Sequence, residues 1–128
     1  MEEIRVIEQA TGAPAAAGPY ASVVKVGSTY FLSGQIGLKP DTGTISGADV
    51  TSQTEQVFNN IEAVLKHVGL SLSRVVKTTV FLTDLKDFQV MNGIFERRFG
   101  GHKPARSTVE VSALPRAAKV EIECIAVG

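Results

Sequence analysis

Apolar residues recur along this chain with two periods, and each change of period marks a new element. Ile4 to Ile7 reads as a short strand, and Ser22 to Val26 and Thr29 to Ile36 are rich in β-forming residues. Gly27-Ser28 between the latter two is a Gly-X pair suited to a type II′ hairpin. Thr11 to Tyr20, with Gly12, Pro14, Gly18 and Pro19 among alanines, reads as a loop, and Pro40-Asp41-Thr42-Gly43 as a turn. From Asp49 the period becomes helical. Val50, Thr54, Val57, Phe58, Ile61, Val64, Leu65 and Val68 form one stripe, with Glu55, Asn59, Glu62 and Lys66 opposite. Asp49 is the expected N-cap, Ser52 with Glu55 is a competing capping pair, and Gly69 suits the position after the helix.

Val75 to Leu82 returns to β-branched and aromatic residues. A second helix is expected from Leu85 to Phe99, with Leu85, Phe88, Met91, Phe95 and Phe99 on one face and Gly100-Gly101 ending it. Arg106 to Val111 and Val120 to Val127 complete the strands. The order β-β-β-α-β-α-β-β predicts one α+β domain over residues 1–128, a six-stranded mixed sheet with two helices on one face. The last strand is apolar on one side (Val120, Ile122, Cys124, Ala126) and half-apolar on the other (Ile125, Val127). The face without helices should therefore meet another surface, most simply a second copy of the chain.

Composition narrows the function. Lys+Arg and Asp+Glu are 13 each, a balance that argues against a nucleic-acid partner. The only cysteine, Cys124, excludes an internal disulfide and a cysteine-based zinc site, and reads as a small core residue. No apolar run approaches the ~20 residues of a membrane span, and the acidic start Met1-Glu2-Glu3 resembles no targeting segment, so the expected compartment is the cytosol. His67 and His102 read as solvated residues.

A few polar residues interrupt apolar patterns. Alternation places Glu121 and Glu123 beside Ile125 and Val127, where a carboxylate is either solvated at a strand end or put to use. Arg106 opens a strand after Lys103-Pro104-Ala105, where it is either an exposed strand-end arginine, the commoner case, or a guanidinium that grips a carboxylate at two points. Asn92 lies within the second helix's apolar stripe. Ser33-Gly34-Gln35 breaks an apolar strand, the mark of a bulge or a close backbone approach. Gly18-Pro19-Tyr20 either fixes a tyrosine hydroxyl at a loop exit or simply buries an aromatic ring. Neither a nucleophile elbow nor a phosphate-binding or dinucleotide fingerprint is present.

Together these residues resemble the RidA/YjgF family (reactive intermediate deaminase A). The matching segments are Ala13-Pro14-Ala15-Ala16-Ala17-Gly18-Pro19-Tyr20, Ser33-Gly34-Gln35-Ile36, Val75-Val76-Lys77-Thr78-Thr79-Val80-Phe81-Leu82, Lys103-Pro104-Ala105-Arg106-Ser107 and Val120-Glu121-Ile122-Glu123. The resemblance implies a chorismate-mutase-like homotrimer with sites between subunits. It implies hydrolysis of enamines and imines such as 2-aminoacrylate to 2-keto acids and ammonia, without metal or cofactor. It assigns the substrate carboxylate to Arg106 and the acid to Glu121, with Tyr20, Ser33, Gly34, Asn92 and Thr108 lining the pocket. Thr108 stands where the family often has cysteine, which argues against thiol chemistry. Phe95 and Arg98 stand where tyrosines are frequent, an implied change of pocket rim. Two other readings are a non-catalytic 2-keto-acid-binding trimer and a ribonuclease or translation inhibitor.

Overall fold

The computed structural model describes residues 2–128. Its elements are β1 (Ile4–Ile7), β2 (Val23–Val26), β3 (Thr29–Ile36), α1 (Val50–His67), β4 (Val75–Leu82), α2 (Phe88–Phe99), β5 (Ala105–Glu110) and β6 (Val120–Val127). Asp49 wins the competition to cap α1. Its carboxylate accepts from the Ser52 amide at 3.0 Å and the Ser52 hydroxyl at 2.8 Å, and these bonds hold it below the ordinary carboxylate range. Gly69, at φ 78°, lets the chain leave the helix. The hairpin between β2 and β3 turns on Gly27 at φ 60°, with Val26 opposite Thr29, as the Gly-X pair predicts.

The strands form one sheet in the order β1-β2-β3-β6-β4-β5. Every pairing is antiparallel except β4 with β5, which α2 joins as a crossover. Both helices lie on one face. Val57, Phe58, Ile61, Val64 and Leu65 of α1 and Met91, Phe95 and Phe99 of α2 are buried there with Val80, Leu82, Ile122 and Ala126 of the sheet.

Three expectations need correction. Leu85 does not belong to the second helix: Leu85–Asp87 is a separate 3-10 turn, capped by the Asp84 carboxylate, and α2 starts at Phe88. That turn leaves Leu85 48% exposed. β5 begins and ends one residue earlier than the apolar pattern implied, because Ala105 already pairs with Lys77. Ser22 precedes β2, its hydroxyl occupied by the Ala10 amide and the Glu8 carbonyl.

The other face carries no helix. Val6, Val24, Phe31 and Ile125 are register partners in turn across β1, β2, β3 and β6, forming an apolar row on that face. Val6 and Phe31 are exposed within it. No helix among the described residues is long and apolar enough to cross a membrane.

Candidate active site

Glu121 leaves β6 on the face without helices, because its cross-strand partners are Ile36 and Phe81 while its neighbours Val120 and Ile122 are buried under the helices. β3 and β6 lose register between Leu32 and Gln35, so β3 carries an extra residue at Ser33-Gly34. Both sequence readings of Gly34 hold: the strand bulges there, and a Cβ would collide with the Glu121 carboxylate. Ser33 donates its hydroxyl to the Ala21 carbonyl at 2.5 Å. Tyr20 comes in from the loop before β2, and its hydroxyl oxygen accepts from the Ala17 amide at 3.2 Å. Tyr20, Ser33, Gly34 and Glu121 line one cavity of about 90 Å³, with Pro14 to Ala17, Ile36 and Leu38 as its apolar walls. Burial pushes the Glu121 carboxyl above the ordinary carboxylate value, and the charge of Glu123 adds to the effect.

Two buried amides of α1 hold this region in place. Asn60 donates to the carbonyls of Ile36 at 3.1 Å and Leu38 at 2.9 Å. Gln53 donates to the Gly47 carbonyl and accepts from the Lys119 amide just before β6, both at 2.8 Å. Each satisfies a backbone group where the sheet ladder ends.

Arg106 belongs to a different place. Its partner on β4 is Thr78, which is fully buried on the helix face. The guanidinium turns toward α2, where Nη1 donates to Asn92 Oδ1 at 2.7 Å. It lies 4.7 Å from the Phe95 ring centre and 5.5 Å from that of Phe88. Asn92, Phe95, Glu96, His102, Lys103, Pro104 and Arg106 line a cavity of about 410 Å³. Thr108, two residues along β5, has a buried hydroxyl with no hydrogen-bond partner.

The predicted residues therefore fall into two sets. Glu121, Ser33, Gly34 and Tyr20 share one cavity, and Arg106 and Asn92 share another. Arg106 and Glu121 leave opposite faces of the sheet. Neither has an ion-pair partner among the described residues. Among those residues no three His, Cys, Asp or Glu side chains gather as a metal site requires.

Other assignments change. His102 is half-buried and its Nε2 lies 2.6 Å from the Val75 carbonyl, tying the loop before Arg106 to the start of β4. Arg98 is not at the pocket rim. It bonds Glu55, Asn59 and Glu62, binding α2 to α1. Pro115 and Arg116 line the Glu121 cavity, where Arg116 and Ala117 adopt φ 61° and 54°. No sequence signal marks these two, since neither residue type favours left-handed backbone. His67 is exposed as expected, yet Nδ1 accepts from the Thr11 amide. Cys124 is a core residue, its thiol pushed up to about 12 by burial and by the charge of Glu123.

The chain is similar to proteins already characterised by name. A family model described as Endoribonuclease L-PSP matches residues 10–128. Reactive Intermediate Deaminase A, chloroplastic, of Arabidopsis thaliana is 51% identical over 114 residues, covering 89% of this chain and 61% of that protein. This chain thus spans less than two thirds of the plant relative's length. The 2-iminobutanoate/2-iminopropanoate deaminase of Mus musculus is 44% identical over 124 residues, covering 97% and 92%. Among solved structures, E. coli TdcF with bound serine superposes with a TM-score of 0.91 at 42% identity, covering 97% of this chain and 99% of that one.

Proposed function

The chain belongs to the endoribonuclease L-PSP family, the YjgF/RidA group that includes the reactive intermediate deaminases, and from that premise we propose that it hydrolyses enamines and imines of small 2-amino acids to 2-keto acids and ammonia. The observation that carries the reading is a pair of charges that make no ion pair among the described residues: the Arg106 guanidinium, held in place by Asn92 while Glu96 of the same cavity stays unpaired with it, and the half-buried Glu121 carboxylate, unpaired with Arg116 of its own cavity. A substrate bearing a carboxylate and a basic nitrogen answers both. The serine bound to TdcF, a molecule of that size and charge, supports the ligand class.

One chain cannot bring the two groups to one substrate, since they leave opposite faces of the sheet. The proposed site is therefore completed between subunits, Arg106, Asn92 and Thr108 from one and Glu121, Tyr20, Ser33 and Gly34 from the next. The apolar row Val6-Val24-Phe31-Ile125 supports a trimer whose sheets face one another, each chain contributing residues 1–128 as one domain.

In the proposed reaction Arg106 grips the substrate carboxylate through two donors and fixes the reacting carbon. The enamine carbon takes a proton and becomes an imine, water adds to the imine carbon, and ammonia leaves. Glu121, its proton affinity raised by burial, exchanges protons with the substrate carbon and the attacking water. Tyr20 already accepts from Ala17, so its own proton is free to donate. Ser33 spends its proton on Ala21, so its oxygen acts as an acceptor for water or ammonia. The cytosol remains part of the proposal.

The test generates 2-aminoacrylate from serine with a dehydratase and follows its loss and the appearance of pyruvate. Catalytic amounts of the protein should speed both. Binding of 2-keto acids without any acceleration would leave a binding protein in place of an enzyme. Cleavage of RNA at the same protein concentration, without deamination, would favour the family's ribonuclease description.

A further inference from the structure

One group of cations lies away from this site and has no acid to meet it. Arg5 of β1 and Lys25 of β2 are direct cross-strand partners, and Lys25 is in turn opposite Tyr30 of β3. Register partners share a face, and Tyr30, buried in the helix-side core, identifies it. Like charges placed directly opposite destabilise a sheet, and this pair occupies a face otherwise given to apolar side chains. Neither Arg5 nor Lys25 makes an ion pair or a side-chain hydrogen bond among the described residues; the Lys25 ammonium lies 5.4 Å from the Tyr30 ring centre.

The end of α1 borders the pair. Arg5, Ile7, Lys25, Tyr30, His67 and Val68 line a cavity of about 280 Å³, and no carboxylate is among them. His67 adds a third donor. Its Nδ1 accepts from the Thr11 amide at 3.1 Å, so the ring proton resides on Nε2. At the helix end the carbonyls of Leu65 and Lys66 are taken by the amides of Val68, Gly69 and Leu70.

We propose that this cavity binds a phosphoryl group, either free phosphate or a small phosphate monoester. A guanidinium, an ammonium and an imidazole N–H around one space suit an anion with two charges and at least three acceptor oxygens. The site is separate from the deaminase pocket, so the proposal stands or falls independently of the reaction.

The experiment titrates inorganic phosphate, glycerol 3-phosphate and succinate into the full-length protein by calorimetry, at constant ionic strength set with chloride. Arg5→Met and Lys25→Met keep the apolar stems and remove the charges, and Lys39→Met is the control on an exposed turn. Saturable phosphoryl binding is expected, with each cavity variant weakening it about tenfold or more and the control leaving it unchanged. The unliganded cavity variants should melt no lower than wild type, because each relieves a like-charge pair. Tighter binding of glycerol 3-phosphate than of phosphate identifies a monoester as the ligand, and equal binding identifies free phosphate. Tighter binding of succinate than of either, equal loss in the control, or no saturation below about 10 mM would overturn the proposal.

Discussion

The surroundings of Glu121 and of Arg106 are built by different means. Around Glu121 the backbone does the shaping: a bulge at Ser33-Gly34, a left-handed turn at Arg116-Ala117, and strand ends held by Asn60, which donates to the Ile36 carbonyl, and by Gln53, which accepts from the Lys119 amide. Around Arg106 side chains do it, on a regular strand and a regular helix, with Phe88, Phe95 and Asn92 aligning one guanidinium. A half-buried carboxylate that keeps a raised proton affinity needs fixed walls that make no ion pair with it, and irregular backbone provides them: Arg116 lines the same cavity but donates to the Gly43 carbonyl. A guanidinium keeps its charge anywhere and needs only to be aimed. The contrast fits the proposed division, with proton transfer in the Glu121 half and substrate orientation in the Arg106 half.

Removing the proton-transfer group should have the largest effect. Glu121→Gln should lower the turnover of 2-aminoacrylate by about 10²–10⁴-fold while keto-acid affinity changes little. The same variant tests the shifted carboxyl. Burial raises the folded-state value above the unfolded one, so the folded chain holds its proton longer, and wild-type stability falls as pH rises above the ordinary carboxylate range. Glu121→Gln lacks that penalty, so thermal melting should find the two proteins equal near about pH 4 and the variant higher at about pH 7. Wild-type turnover would show Glu121 to be only a wall.

Arg106→Lys comes next. A lysine retains the charge and loses the two-point grip, so kcat/KM should fall about ten- to a hundredfold with melting unchanged. Near-normal rates would remove orientation from that half.

Mixing tests whether the halves come from different chains. Arg106→Ala and Glu121→Gln, unfolded and refolded together in equal amounts, should recover about a quarter of wild-type activity, since about one interface in four would carry both intact groups. Recovery no greater than the sum of the two separate variants would mean that each chain uses its own pair.

Arg98→Met should have the smallest effect. The variant loses the tie between α2 and α1, so melting should drop by a few degrees, on the order of 1 kcal/mol, while kcat/KM stays within about twofold. A changed substrate range would return Arg98 to the pocket rim.

What the chain determines locally could be read along it. The α1 stripe, the Asp49 cap and the Gly27 turn follow from periods of 3.6 and 2 and from backbone preferences acting over a few residues. The uncovered face was legible too, since two amphipathic helices cannot cover both sides of six strands. Thr108 is marked only by the family resemblance and nothing marks Pro115 or Arg116, whereas Glu121, Asn92 and Ser33-Gly34 could be picked out singly where they interrupt an apolar pattern.

Their grouping could not. The face from which Arg106 leaves depends on Thr78 of β4, and that of Glu121 on Ile36 and Phe81, pairings made across 28 to 85 positions of chain. The 3-10 turn that exposes Leu85, the bond from His102 to Val75 and the left-handed Arg116 are likewise settled by where the chain must go next. Periodicity reports which side of its own element a residue occupies, whereas register between strands decides which residues share a face, and register exists only once the strands have met.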